Sequence, residues 1–238
     1  MVDIHSHILP FVDDGAEDFD DFIQMADVAV RSGVEIIVST PHSNQKGRFE
    51  NYESHALKNV YEEAERILDF YDIPLTILRG MEIYLQDSRW MDKIVDGKLI
   101  PLNNTKNYLV EFPFHEYPDR MEKQIVRMLS LKKVPVIAHP ERYFCIQDDP
   151  EIIRYFMDMG CYIQINKGSV FDSFGRNAGR TARYLLDANL VSCIGSDAHS
   201  PHVRTTKMSH IREYLETTYS HEKMRALLDE NPRKILGL

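Results

Sequence analysis

Apolar positions along the chain follow two alternating patterns. Short runs rich in β-branched residues recur seven times, and such runs are typical of buried β-strands. We predict strands at 2–4, 35–40, 75–79, 108–112, 135–138, 162–165 and 191–194.

The segments between these runs carry apolar residues three and four positions apart, which is the period of an amphipathic helix. The first such stripe spans 19–30 and stops before Gly33, a common helix terminator. Further stripes lie at 57–71, 125–129, 152–157, 182–186 and 208–215. Asn231 and Pro232 are predicted to be the N-cap and first residue of a last short helix.

The alternation of strand and helix predicts an α/β fold of parallel strands joined by helical crossovers. Both an open doubly wound sheet and a closed barrel satisfy this pattern. A chain of 238 residues without a visible linker favours one domain over residues 1–238, and a hydrophobic fraction of 43% can supply its core.

Charge and cysteine content narrow the function classes. The formal net charge is −9 and no basic block occurs, which argues against a nucleic-acid partner or an anionic membrane surface. No apolar run is long enough for membrane insertion. Cys145, Cys161 and Cys193 fit neither a disulfide framework nor a zinc motif, so we expect reduced thiols and a cytoplasmic location.

Side chains that bind metals follow almost every predicted strand. His5 and His7 are two residues apart and share one face of the first strand, and Asp197 and His199 repeat this spacing after the last. Other candidates at strand ends or in the loop after the first strand are Asp14, His42, Glu82, Glu111 and His139. Because parallel strands of a barrel end at one face, we expect these side chains to converge.

Each candidate alone is explained as well by an ordinary polar residue at a strand end. Together they favour metal binding, because several half-buried imidazoles and carboxylates at one end of a sheet need compensating partners. The donors are nitrogen and oxygen only, which suits manganese, iron, zinc or magnesium. Five histidines and four carboxylates exceed the needs of one ion, so two or three bridged ions are predicted.

These residues lie in motifs that resemble the PHP (polymerase and histidinol phosphatase) family. Within that family the chain is similar to the CpsB/YwqE type of bacterial tyrosine-protein phosphatases, which belong to capsule and exopolysaccharide operons. The resemblance covers essentially the whole chain. Its motifs are His5-Ser6-His7, Asp13-Asp14-Gly15, Thr40-Pro41-His42, Gly80-Met81-Glu82, Leu109-Val110-Glu111-Phe112-Pro113, His139-Pro140-Glu141-Arg142, Ser196-Asp197-Ala198-His199 and Asn231-Pro232-Arg233-Lys234.

The resemblance implies a distorted (β/α)7 TIM-like barrel and three divalent metal ions, with Mn²⁺ expected and Fe, Zn or Mg as alternatives. The first ion would take His5, His7, Glu82 and Asp197, the second Glu82, Glu111 and His139, and the third Asp14, His42 and His199. Many PHP relatives have histidine where Asp14 and Glu111 stand. This departure matches the tyrosine-phosphatase branch and disfavours histidinol phosphatase.

Arg142 and Arg204 are the predicted phosphate contacts, because guanidinium matches phosphoryl oxygens bidentately. Four ligand carboxylates, three divalent ions and two arginines would leave the site positive despite the acidic total. We predict in-line attack on phosphorus by water activated at the ions, with Asp197 or His199 as candidates for proton assistance. A cysteine nucleophile is disfavoured, because no Cys-x5-Arg occurs.

The implied substrate is the phosphotyrosine tail of a cognate bacterial tyrosine kinase that controls polysaccharide export. Two alternatives remain open: a histidinol phosphatase or other small-molecule phosphoesterase, and a non-catalytic, metal-carrying module that binds the kinase. His115 and His202 could line the substrate entrance, and the aromatic loop 112–117 could stack on a tyrosyl ring or only cover the barrel mouth.

Overall fold

The computed structural model describes residues 1–86 and 88–238. In this part of the chain nine strands alternate with helices. The strands are β1 (Val2–Ser6), β2 (Ile36–Ser39), β3 (His42–Ser43), β4 (Thr76–Arg79), β5 (Glu82–Tyr84), β6 (Asn107–Glu111), β7 (Val134–Ala138), β8 (Tyr162–Asn166) and β9 (Cys193–Gly195).

The helices follow the predicted stripes and add several short ones. They are α1 (Phe19–Arg31), α2 (His55–Phe70), α3 (Trp90–Val95), α4 (Pro118–Ser130), α5 (Phe144–Asp148), α6 (Ile152–Asp158), α7 (Lys167–Val170), α8 (Arg176–Asp187), α9 (Ser209–Thr218), α10 (His221–Arg225) and α11 (Asn231–Leu236). Short 3-10 turns lie at Leu102–Asn104 and Pro140–Arg142, and a π-helical turn lies at Ala226–Glu230. None of the described helices has the length and apolar character needed to cross a bilayer.

All strand pairings are parallel, so the predicted α/β class and all seven predicted strands are confirmed. The strands form two sheets, of order β1-β2-β4 and β3-β5-β6-β7-β8-β9. The sheets divide at 40–41 and 80–81, where Pro41 lacks the N–H that a continuous strand would donate. Beyond these breaks lie β3 and β5, which the sequence pattern does not predict.

The first and last strands lie side by side. Ser6 and Ala198 form a parallel bridge, and the backbone N–H groups of Asp197 and His7 donate to His5 and Ala198 at 2.8 Å each. These contacts bring the two histidines of β1 next to the residues that follow β9. Closure of both sheets into one seven-stranded barrel stays a prediction.

Amphipathic helices cover the outside of the strands. In α1 the buried residues are Phe22, Met25, Ala26 and Ala29, while Phe19, Ile23 and Val30 of the predicted stripe are partly buried against the core. Burial of the two large side chains among the buried residues, Phe22 and Met25, contributes about 1.5–3 kcal/mol each. A smaller apolar cluster among the strands packs against Leu236 of the C-terminal helix and includes Ile4, Val38, Leu109, Val136 and Cys193.

The predicted cap of the last helix is wrong. Asn231 has helical φ and ψ and continues directly from the π-helical turn before it. Its side chain amide donates to the carbonyl of Ser192 at 2.9 Å and therefore fixes the helix to the region before β9.

Candidate metal centre and active site

The predicted ligands lie near the C-terminal ends of β1, β2, β4, β6, β7 and β9 or just beyond them, where β3 and β5 begin with His42 and Glu82. Glu111 ends β6, His139 directly follows β7, and Asp197 lies two residues after β9. The others belong to β1 or its loop, β3, β5 and the loop after β9, and are His5, His7, Asp14, His42, Glu82 and His199. The structure therefore brings all nine to one end of the sheets.

Glu82 lies at the centre of this cluster. Its Oε2 is 3.3 Å from Nε2 of His5, 3.3 Å from Nε2 of His7 and 2.9 Å from Nδ1 of His42. Its Oε1 is 2.9 Å from Nε2 of His139. A carboxylate that faces four imidazoles has the position expected of a bridging ligand.

The donor atoms gather into four overlapping groups, within which all atoms lie no more than 4.8 Å apart. The groups are His7, Asp14, His42 and His199; His5, His139 and Asp197; His5, His7 and Glu82; and His42, Glu82 and Glu111. Every predicted ligand belongs to at least one group. The assignment of each residue to a particular ion stays a prediction.

These side chains fit a set of divalent cations. Glu82 Oε2 is buried and makes no hydrogen bond of good geometry to the described residues. Burial raises the pKa of Glu111 well above its usual range, and the negative charges of Glu82 and Asp197 add to this effect. Cations bound among these oxygen and nitrogen donors would give Glu82 Oε2 a partner and would offset the negative charge around Glu111.

Two buried hydrogen bonds orient the first pair of histidines. His5 Nδ1 lies 2.8 Å from Oε1 of Gln164, and His7 Nδ1 lies 2.6 Å from Oδ2 of Asp13. Because both partners are acceptors, each Nδ1 carries the proton and each Nε2 points into the cluster. Burial alone would lower the pKa of His7, but the Asp13 carboxylate raises it to about 9, so metal binding must release a proton there.

Asp13 is a functional residue that the sequence reasoning missed. Its side chain is 1% exposed and also accepts the backbone N–H groups of Gly15 at 3.0 Å and His42 at 2.8 Å. The tight loop needs Gly15, because a Cβ there would lie 2.0 Å from the carbonyl oxygen of His7. The sequence signal was the Asp13-Asp14-Gly15 motif, in which only Asp14 was assigned a role.

The last candidate pair is held by different contacts. Asn166, also missed, donates its amide to Asp197 Oδ2 at 2.5 Å. Burial opposes ionisation of Asp197, yet the His5 imidazole and the Arg204 guanidinium hold its pKa well below the usual range. Burial and the charge of His7 lower the pKa of His199 to about 2.

Two of the candidate ligands have a strained backbone. Asp197 and His139 have φ of 50° and 35°, in the left-handed region, and such strain is typical of functional sites.

Both predicted phosphate contacts border the cluster. Arg204 forms an ion pair with Asp197 through Nη2, and Arg142 Nη1 lies 3.5 Å from Asp197 Oδ2. The ring of Phe174 stacks on both guanidinium groups, 4.5 Å from that of Arg142 and 5.3 Å from that of Arg204. Phe114 stacks on Arg142 from another side at 4.5 Å.

The cluster and the arginines open into one cavity of about 360 Å³. From the aromatic loop, Phe112, Phe114 and His115 line it, although Phe112 is almost fully buried and its backbone N–H donates to the Tyr143 hydroxyl. His202 is exposed and lies outside this lining. We call this space the catalytic cavity; its other lining residues include Asp14, His42, Tyr84, Glu111, His139, Arg142, Asp197, His199 and Arg204.

Parallel strands that carry candidate His, Asp and Glu ligands to one end define an α/β protein with a candidate metal centre. The chain belongs to the family described as capsular polysaccharide synthesis, CpsB/CapC, whose model matches residues 1–237.

Named relatives support this membership. The chain is 38% identical to the tyrosine-protein phosphatase YwqE of Bacillus subtilis, over 99% of this chain and 91% of the relative. It is 34% identical to the tyrosine-protein phosphatase CpsB of Streptococcus agalactiae, over 99% of this chain and 98% of the relative.

A solved structure agrees with the sequence comparison. It comes from a study of YwqE from Bacillus subtilis and CpsB from Streptococcus pneumoniae, described as unique metal-dependent tyrosine phosphatases. It superposes with a TM-score of 0.91 at 35% identity and covers 100% of this chain and 94% of its own. The histidinol phosphate phosphatase of Lactococcus lactis shares the fold alone, with a TM-score of 0.58 at 14% identity over 92% and 94% of the two chains.

Proposed function

We propose that this protein is a metal-dependent protein-tyrosine phosphatase that acts on a bacterial tyrosine kinase controlling capsular or exopolysaccharide synthesis. The observation that supports the proposal is the convergence of nine candidate ligands in one cluster, six of which line the same cavity as Arg142 and Arg204. It is supported by full-length similarity to relatives named tyrosine-protein phosphatases.

Three divalent ions, with manganese as the expected metal, would be held by the three ligand sets predicted from the sequence. Glu82 would be shared between the first and second sets, which its contacts with four imidazoles support. When bound, such ions supply positive charge that polarises the phosphoryl group and activates water.

Arg142 and Arg204 would bind the phosphoryl oxygens and stabilise the charge that develops during transfer. Asp197 contacts both guanidinium groups, so we assign it the positioning of these arginines in addition to metal binding. His199 shares the cavity and would serve mainly as a ligand. A tyrosyl leaving group has a pKa of about 10 and needs less protonation than an alkoxide. Phe114 and His115 would contact its ring.

The decisive experiment compares substrates. The manganese-loaded protein should release phosphate from a phosphotyrosine peptide much faster than from histidinol phosphate, and chelation should abolish the release. Arg142→Ala should lower kcat/KM by about 100-fold or more, whereas Arg66→Ala, an exposed arginine of α2, should not. Faster turnover of histidinol phosphate would favour the small-molecule alternative. An unchanged Arg142→Ala variant would favour a non-catalytic module.

The remaining parts of the proposal concern architecture and place of action. We propose that residues 1–238 form one domain in which both sheets close as a distorted (β/α)7 barrel, and the Ser6–Ala198 bridge supports this closure. We also propose a cytoplasmic location, which the three free cysteines support, since reduced thiols are typical of that compartment.

A further inference from the structure

A second cavity, of about 460 Å³, opens directly beside the catalytic cavity. We call it the side cavity and define it by Lys167, Phe171, Phe174, Val203, Arg204 and Lys207. Arg204 lines both cavities, and Phe174 stacks on Arg204 and Arg142 at the boundary. The two cavities therefore adjoin at the residue predicted to bind the phosphate.

The ionisable groups of the side cavity are all basic. Lys167, Arg204, Lys207 and His210 line it, and its described lining includes no Asp or Glu. This is contrary to the composition of the chain, in which 37 acidic residues outnumber 28 Lys and Arg. The side cavity is therefore a local site of positive charge on an acidic protein, and such a lining favours an anionic group.

The three cations of this lining differ in their partners. Arg204 is paired with Asp197. Lys167 Nζ donates to the carbonyl of Thr205 and, at 2.7 Å, to that of Lys207, and it also interacts with the buried Asp3. Lys207 itself is exposed and forms no ion pair with the described carboxylates. Lys207 is thus the cation with charge available for a ligand.

The rim of the side cavity also offers apolar surface. Val203 is 84% exposed and Phe171 is 47% exposed, although both are large hydrophobic residues. Apolar side chains beside a basic lining suit a polypeptide, which presents aliphatic as well as charged groups. Neither residue lines the catalytic cavity.

We propose that the side cavity binds an anionic side chain that flanks the phosphotyrosine in the peptide substrate. The group is a carboxylate or a second phosphate, because both are anions that the Lys207 ammonium group can bind. This inference rests on the proposed phosphatase function and adds to it a preference for acidic sequence around the target tyrosine.

The test uses the manganese-loaded full chain and four substrates. Three are peptides that differ only at one residue next to the phosphotyrosine, which is Glu, Gln or a second phosphotyrosine. The fourth is p-nitrophenyl phosphate, which has no flanking residue. The wild-type protein should prefer the Glu and doubly phosphorylated peptides over the Gln peptide. Lys207→Gln should reduce kcat/KM for these two by about five-fold, mainly through KM, and Lys207→Glu should reduce it further. Turnover of the Gln peptide and of p-nitrophenyl phosphate should be unchanged by Lys207→Gln.

Lys123→Glu is the matched control, because this lysine of α4 is exposed and lines neither cavity. Equal turnover of the Glu, Gln and doubly phosphorylated peptides by the wild-type protein would overturn the side-cavity proposal alone. The proposal would also be overturned if Lys207→Gln reduced kcat/KM equally for all four substrates. The same holds if Lys123→Glu reduced kcat/KM for the acidic peptides as much as Lys207→Glu does. Absence of phosphate release from every substrate would instead refute the phosphatase function. A stronger effect on either acidic peptide identifies carboxylate or phosphate as the preferred group.

Discussion

Replacing Asp13 with Asn tests whether the buried carboxylate behind His7 tunes the metal centre. The change keeps the size of the side chain but removes its charge. Asp13 Oδ2 accepts from His7 Nδ1 at 2.6 Å and from the backbone N–H of His42 at 2.8 Å. An amide oxygen can keep both of these donors only if the NH2 group turns toward the backbone N–H of Gly15, which Asp13 Oδ1 now accepts at 3.0 Å. In either orientation a donor–donor contact replaces a hydrogen bond, and the negative charge behind His7 is lost.

The expected size follows from the contact that is lost. A hydrogen bond to a charged group contributes about 1.5–3 kcal/mol, which corresponds to about a 10- to 150-fold change in an equilibrium constant. Removal of partners behind metal ligands commonly costs about 10- to 100-fold in metal affinity or activity. We therefore expect Asp13→Asn to weaken manganese binding by about 10- to 100-fold.

The assay is a manganese titration of phosphotyrosine hydrolysis, together with calorimetric titration of the metal-free protein. The variant should need a higher manganese concentration for half-maximal activity and should recover much of its rate at saturation. Asp20→Asn, at an exposed position of α1, is the control. If Asp13→Asn has the same metal dependence as the parent protein, the proposed role of Asp13 is wrong.

Three further predictions concern the arginine stack, the tight loop and the thiols. Phe174→Leu removes the ring from Arg142 and Arg204, so inhibition by inorganic phosphate and kcat/KM should weaken by about 2- to 30-fold, whereas Phe174→Tyr should retain both. Gly15→Ala places a Cβ against the backbone of His7, so it should lower Tm and metal-dependent activity together, and a variant as stable and active as the parent would contradict the loop argument. Burial raises the pKa of Cys161 to about 12, so iodoacetamide at pH 8 should modify this thiol only after unfolding, as measured by mass spectrometry. Rapid alkylation in the native protein would show that the site is more open than described.

The main strands were predictable because each is a compact apolar run buried by neighbouring strands and helices. The short strands β3 and β5 were not, because two or three residues carry no periodic signal. Their pairing depends on the register that β2 and β4 set before the interruptions at Pro41 and Gly80. The cap at Asn231 was misjudged because a tertiary contact with Ser192 replaces the local capping bond.

The candidate ligands were predictable because imidazoles and carboxylates at successive strand ends have few other roles in combination. The supporting residues were not. Gln164, Asn166 and Phe174 are ordinary in sequence, and their roles arise from contacts with residues far along the chain. Sequence spacing reveals side chains that share a strand face, whereas partners from distant strands become visible only in the folded chain.

We propose that one cluster of divalent cations forms at the strand ends around Glu82. The most direct measurement is anomalous diffraction at the manganese edge from crystals grown with manganese. Strong anomalous peaks are expected between Glu82 and its surrounding imidazoles, at the base of the catalytic cavity near Arg142 and Arg204. Well-ordered crystals at saturating manganese that show no peak there, or peaks only elsewhere on the surface, would contradict it.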